Sequence, residues 1–255
     1  MTPRLPQVFL EVPLAHRALH DVSDGRPENS RAAVQAAIDA GYGIEIDVQQ
    51  SGDAQAMVFH DYDLARLANG AGPAKALTAA QLADVPLRGG DEGIPTLPEV
   101  LALVAGRVPL LIEIKDQTGE MGPSDGALEA SVAAALAGYN GPVGVMSFNP
   151  HTVRRMADLC LDTPRGLVTC AYDAGVEKLP QDVCDRLREI PDYDTAGCSF
   201  ISHDWRDLRR PRVAELKAQG ADILCWTVKS PADEAEARQI AQNITFEQYL
   251  APLDA

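Results

Sequence analysis

Along most of its length the chain alternates short, apolar, β-rich runs with longer helical patterns, and this rhythm restricts the possible folds more than any other feature. The runs are Leu14–Ala18, Gly43–Val48, Ala56–His60, Leu110–Lys115, Val143–Phe148, Gly166–Cys170, Cys198–Ser202 and Ile223–Val228. Helical patterns lie between them at Arg31–Ala40, Leu97–Ala105, Gly126–Gly138, Pro150–Leu159, Leu208–Gln219 and Pro231–Gln242. Repeated β–α units imply a parallel sheet covered by helices. About eight of them imply closure into a barrel, with an open doubly wound sheet as the alternative. No G-x-G-x-x-G follows any run, which weighs against a dinucleotide fold. A length of 255 residues suits one α/β barrel domain over residues 1–255.

Two segments break the rhythm. Ser51-Gly52-Asp53 leaves no room for a helix between Val48 and Val58, so the second and third runs are expected to be joined as a hairpin. Residues 61–98 contain Gly70, Gly72, Pro73, Gly89, Gly90, Gly93 and Pro95, the composition of an excursion or lid. Residues 243–255 carry no pattern that places them.

Charge and cysteine usage exclude several classes. Asp and Glu outnumber Lys and Arg by 37 to 22, and a net charge of −15 argues against nucleic acid and anionic membrane surfaces. No run approaches the ~18 apolar residues of a membrane span. The opening Met1–Pro13 is interrupted by Pro3, Pro6 and Glu11 and does not read as a signal peptide. The five cysteines include no C-x-x-C pair, so they read as small buried side chains in a reducing compartment. A cytoplasmic protein with no stable membrane association is expected; the oligomeric state is open.

Chemistry concentrates at the ends of the runs. In Gly43-Ile44-Glu45-Ile46-Asp47-Val48, residues two apart share a face, so Glu45 and Asp47 point together while the apolar residues point the other way. Paired carboxylates repel unless a cation, a proton or basic groups stand between them. Leu110-Leu111-Ile112-Glu113-Ile114-Lys115 ends in a carboxylate and a cation on one face. Glu113 can complete an oxygen site suited to Mg²⁺ or Ca²⁺, and Lys115 can offer a point charge to a phosphate oxygen, although a simple ion pair closing the strand would also explain the segment. His16 and His60 each end a run, and histidine suits proton transfer near neutral pH. Arg17 beside His16 supplies a fork for phosphate. His20 and His151 read as surface residues, and His203 as a minor candidate. In Pro27-Glu28-Asn29-Ser30, Asn29 or Ser30 is placed to cap the following helix, and Glu28 to hold Arg17 or His16.

Taken together, Ala15-His16-Arg17, Pro27-Glu28-Asn29-Ser30, Glu45-Ile46-Asp47, His60-Asp61, Ile94-Pro95-Thr96-Leu97, Ile112-Glu113-Ile114-Lys115, Ser147-Phe148 and Cys225-Trp226-Thr227-Val228 resemble the glycerophosphodiester phosphodiesterase family in order and spacing. The resemblance implies a TIM-type (β/α)₈ barrel with residues 61–98 as a small insertion over its mouth. It implies one divalent cation, Mg²⁺ or Ca²⁺, and hydrolysis of a glycerophosphodiester to sn-glycerol 3-phosphate and an alcohol. By motif position, Glu45, Asp47 and Glu113 would be metal ligands, His16 and His60 the acid/base pair, and Arg17, Lys115, Phe148 and Trp226 substrate contacts. Ala18 and Ala54 stand where the family usually has glycine, and Asn243-Ile244-Thr245-Phe246 replaces an aspartate-containing closing strand. The competing readings are a lysophospholipase D-type headgroup hydrolase, a noncatalytic phosphodiester-binding barrel, and a metal-dependent sugar isomerase or aldolase. The last would not need both Arg17 and Lys115.

Overall fold

The computed structural model describes residues 2–253. Nine strands form: β1 (Leu14–Ala15), β2 (Gly43–Gln50), β3 (Ala56–Val58), β4 (Leu110–Ile114), β5 (Val143–Ser147), β6 (Arg165–Thr169), β7 (Phe200–Asp204), β8 (Asp222–Val228) and β9 (Asn243–Phe246). Pairing runs β1-β9-β8-β7-β6-β5-β4-β2, and β1 also pairs with β2, so eight parallel strands close a TIM-type barrel. The open doubly wound alternative is excluded. Among the described residues, no helix is long and apolar enough to cross a membrane.

The eighth strand is not one of the eight runs read from the sequence. The third run, β3, pairs antiparallel with the end of β2 as the expected hairpin and takes no place in the ring. Its turn puts Ala54 at φ 61°, the left-handed region that glycine usually occupies. The place is taken by β9, from the segment that carried no readable pattern; its four residues are all buried. A strand that short, with one neighbour on each side to satisfy its backbone, needs no alternation of its own.

Alternation along the strands sorts two cores. Ile44, Ile46, Val48, Ile112 and Ile114 face the helices in the larger cluster. Leu14, Leu111, Met146, Val168, Phe200 and Leu224 fill the barrel interior, closed below by Leu5 and Phe9 of the N-terminal segment. Asn243 ties that plug in place by donating to Phe9 O (2.8 Å) and Val12 O (2.6 Å). Gly166 is required here, because a Cβ would lie 2.4 Å from the Phe200 ring. The seventh strand begins two residues later than expected, at Phe200, and extends to Asp204.

Helices Arg31–Ala40 and Pro150–Leu159 run as patterned. Ser30, not Asn29, caps the first, accepting from Ala33 N at 3.0 Å. Helix Leu97–Val104 starts with a Thr96–Glu99 capping box. The pattern at Leu208–Gln219 becomes a helix only from Pro211, whose fixed φ suits a first turn. Residues 61–96 form mostly turns, with a 3₁₀ turn at Ala74–Ala76 and a short α-helix at Ala79–Ala83, gathered round Leu64, Ala68, Leu82, Leu87 and Ile94. Gly93 lets this segment fold tightly, since a Cβ there would lie 1.7 Å from Ala83 O.

Candidate active site

The site is assembled in and just beyond β1, β2, β3, β4, β5, β8 and β9. β1 stops at Ala15, and the chain then turns through Arg17 (φ 52°) and Ala18 (φ 65°). Each left-handed residue without glycine costs about 1–2 kcal/mol. Hydrogen bonds offset that cost: Ala18 N donates to Glu45 O and Arg17 N to Glu45 Oε2, both at 2.9 Å. The alanine at the usual glycine position therefore does not unmake the turn.

In the β2–β4 register Asp47 lies opposite Glu113, and Glu45 precedes Asp47 on the same face. One carboxylate oxygen from each of Glu45, Asp47 and Glu113 lies within 4.8 Å of the others, and all three residues are buried. Lys115 Nζ bridges Asp47 Oδ1 and Glu113 Oε1 at 2.6 Å each. Arg17 Nε lies 3.5 Å from Asp47 Oδ2, and Asn29 donates to that oxygen at 2.9 Å. Burial and the neighbouring charges of Asp47 and Glu113 hold Glu45 well above the usual carboxylate range. Burial also raises Glu113. For Asp47 burial acts the same way, but Lys115, His60 and Arg17 outweigh it and hold the group low. Three buried oxygen donors whose mutual repulsion is only partly relieved fit a hard divalent cation.

Each histidine is anchored at Nδ1. His16 Nδ1 lies 2.6 Å from Glu247 Oε2, and His60 Nδ1 lies 2.6 Å from Asp61 Oδ1. A carboxylate can only accept, so in both rings Nδ1 carries the proton and Nε2 is left for chemistry. Arg66 grips Asp61 with Nε and Nη2, both at 2.6 Å. Burial lowers His16 despite Glu247. Burial and Lys115 push His60 down to about 4.

A histidine lowered on folding takes up its proton only when the chain unfolds. His60 therefore withdraws stability as pH falls from about 6.5 towards 4. Chemical denaturation from pH 7 to 4.5 should show His60→Gln losing less stability than the parent chain, by roughly 1–3 kcal/mol across the window. Parallel curves would contradict the lowered value.

The other expected residues fall as follows. A cavity of about 100 Å³ is lined by His16, Arg17, Glu45, Asp47, His60, Glu113, Lys115, Phe148 and Trp226. Phe148 and Trp226 meet edge to face at 5.6 Å and 81°. Glu28 lies behind the cavity and accepts from Arg17 Nη1 at 2.6 Å, so it holds Arg17 and not His16. A larger hollow, about 530 Å³, opens alongside between the loops after β1 and β9. His20, expected at the surface, is half-buried and lines this hollow with Nε2 3.6 Å from Glu247 Oε2. His203 is buried and bonds Thr169 Oγ1 at 2.8 Å, away from the cavity. His151 is exposed. Sequence reasoning missed Asn29, Arg66 and Glu247. In sequence Asn29 reads only as a possible cap, and Glu247 has no local signal before β9 is known.

A buried carboxylate cluster beside Arg17 and Lys115, with two imidazoles anchored at the edge of the cavity, can grip a phosphodiester and move protons on either side of it. The sequence model of the glycerophosphoryl diester phosphodiesterase family matches residues 16–244. The chain belongs to that family. It is an enzyme of the glycerophosphodiester phosphodiesterase class. A glycerophosphodiester phosphodiesterase of Caldanaerobacter subterraneus is 32% identical over 231 residues, covering 86% of each chain. A putative glycerophosphodiester phosphodiesterase of Bacillus subtilis is 28% identical, covering 92% of this chain and 93% of its own. Among solved structures, an Oleispira antarctica phosphodiesterase in complex with the product sn-glycerol-3-phosphate shares the fold at TM-score 0.73, with 23% identity over 92% of each chain.

Proposed function

We propose that this glycerophosphodiester phosphodiesterase releases sn-glycerol 3-phosphate and an alcohol, using one divalent cation, Mg²⁺ or Ca²⁺. The observation that carries the reading is the pairing of a buried three-carboxylate cluster with two histidines tied at Nδ1 in one cavity. Glu45, Asp47 and Glu113 would hold the cation; when bound, it supplies Lewis-acid stabilisation of the phosphoryl oxygens. Arg17 and Lys115 bind those same oxygens and share the charge that grows on them in the transition state. One imidazole Nε2 accepts the proton of the attacking oxygen, from water or the glycerol 2-hydroxyl. The other delivers a proton to the leaving alcohol. Phe148 and Trp226 wall the substrate, and Glu28 fixes the reach of Arg17. Residues 61–98 act as a small insertion over the mouth within one barrel domain; Tyr62 links it to the loop after β4 by donating to Asp116 O at 2.7 Å. The free cysteines, four of them buried, fit a cytoplasmic enzyme.

A second reading, headgroup removal from lysophospholipids, is favoured by one observation. Val22, Tyr62, Val176 and Leu250 are 55–72% exposed, and all follow strands on the side of the site.

Glycerol 3-phosphate release should be measured from glycerophosphocholine and glycerophosphoethanolamine with Mg²⁺, Ca²⁺ or excess EDTA. Turnover that needs a cation and vanishes in His16→Ala and Glu45→Ala is the expected result. A folded, metal-loaded enzyme inert on both diesters but active on lysophosphatidylcholine would replace this reading with the second.

A further inference from the structure

Glu247 follows β9 directly and reaches back across the β1–β9 seam. Its Oε2 receives His16 Nδ1 at 2.6 Å, while Oε1 lies 2.7 Å from Lys229 Nζ, beyond the end of β8. Its side chain is only 13% exposed. His16 itself is steadied from the same strand, since its backbone N donates to Phe246 O at 2.9 Å. The arrangement matches His60–Asp61–Arg66 on the other side of the cavity: imidazole, carboxylate, then a cation that fixes the carboxylate. His60 takes its carboxylate from the next residue in sequence. His16 takes its own from 231 residues away.

We infer that Glu247 is a positioning residue for His16, fixing the Nδ1–H tautomer and ring orientation so that Nε2 faces the phosphodiester. This rests on the proposed reaction for its kinetic consequence, but not for the tautomer. A ring held by one hydrogen bond on Nδ1 keeps its lone pair on Nε2 and does not spend time rotated away from substrate. His16 and His20, and to a smaller extent Lys229, hold Glu247 below the usual carboxylate range; Lys229 grips its Oε1, and His20 closes its remaining side at 3.6 Å. Three charged groups act on His16: Glu247, Arg17 next to it, and Asp47 from β2.

The test uses Glu247→Gln, Glu247→Asp and the double variant Glu247→Gln/His16→Ala in the full chain. Imidazole ¹⁵N shifts of His16, recorded without substrate, should show one Nδ1–H tautomer in the parent chain and a mixture in Glu247→Gln. The kcat of Glu247→Gln should fall by about 100-fold with KM little changed, within the ~10- to 10⁴-fold range for a lost histidine-orienting group. The pH-profile limb belonging to His16 should move to lower pH, because an anion beside the ring is gone. Glu247→Asp should recover part of the loss. The double variant should be no slower than His16→Ala alone, since Glu247 acts through that ring. An unchanged tautomer, an unchanged pH profile, or a double variant slower than His16→Ala by the full Glu247→Gln factor would overturn the assignment. Lack of parental turnover on glycerophosphodiesters would count against the proposed reaction instead, with the tautomer still deciding the role of Glu247.

Discussion

Replacing His60 by glutamine is expected to cut kcat by about 10²- to 10⁴-fold with KM changed little, the usual range for losing a general acid or base. Glutamine keeps the size and a hydrogen-bonding end but cannot exchange a proton near neutral pH. His60 stands at the edge of the cavity with its Nδ1 committed to Asp61, so proton transfer falls to Nε2. Binding should survive, because Arg17 and Lys115, the proposed phosphate contacts, are untouched. Steady-state kinetics with glycerophosphocholine at saturating cation would check it. A kcat within tenfold of the parent value would remove His60 from the acid/base pair.

The second large effect is on stability. Lys115→Met removes the one ammonium that bridges Asp47 and Glu113 and leaves two buried carboxylates facing each other beside Glu45. Breaking a buried ion pair from one side costs about 3–5 kcal/mol. Thermal unfolding in EDTA should therefore show a marked drop in Tm. Millimolar Mg²⁺ or Ca²⁺ should recover much of it, because a ligand that binds only the folded chain stabilises it by mass action. Calorimetry with and without cation reads both parts. If the variant were as stable as the parent in EDTA, Lys115 would not be neutralising the cluster. If cations failed to restore stability, Glu45, Asp47 and Glu113 would not be their ligands.

Much of the protein was legible because its signals are local. A strand period of two set Glu45 beside Asp47 and sent Ile44, Ile46 and Val48 to the helix layer, and the structure keeps that division. Ser51-Gly52-Asp53 announced a hairpin, and Arg31–Ala40 and Pro150–Leu159 carried their own caps and periodicity. The motif set from His16 to Trp226 marks the family because most of those residues stand in or just after barrel strands, where spacing along the chain maps onto position around the ring.

Other features had no local signal. Which runs join the ring depends on pairing, so β3, one of the eight runs, takes no place in it, and residues 243–246 stand out only through the family resemblance and not through any local pattern. Hydrogen bonds to two neighbours, not any hydrophobic pattern, define β9. Closure through β9 carries Glu247 to His16 across 231 residues, and it brings Asn243 under the barrel to hold the N-terminal plug. Asn29 shows the same limit on a smaller scale. Its side chain has the chemistry of a cap, but the left-handed turn at that residue aims it at Asp47 and leaves capping to Ser30. Residue type and short-range period are enough to indicate an α/β barrel, and the family resemblance adds candidate phosphate, cation and proton-transfer residues. Only the tertiary structure decided which carboxylate faces which imidazole, because that depends on closing the ring and bringing distant segments within hydrogen-bonding distance.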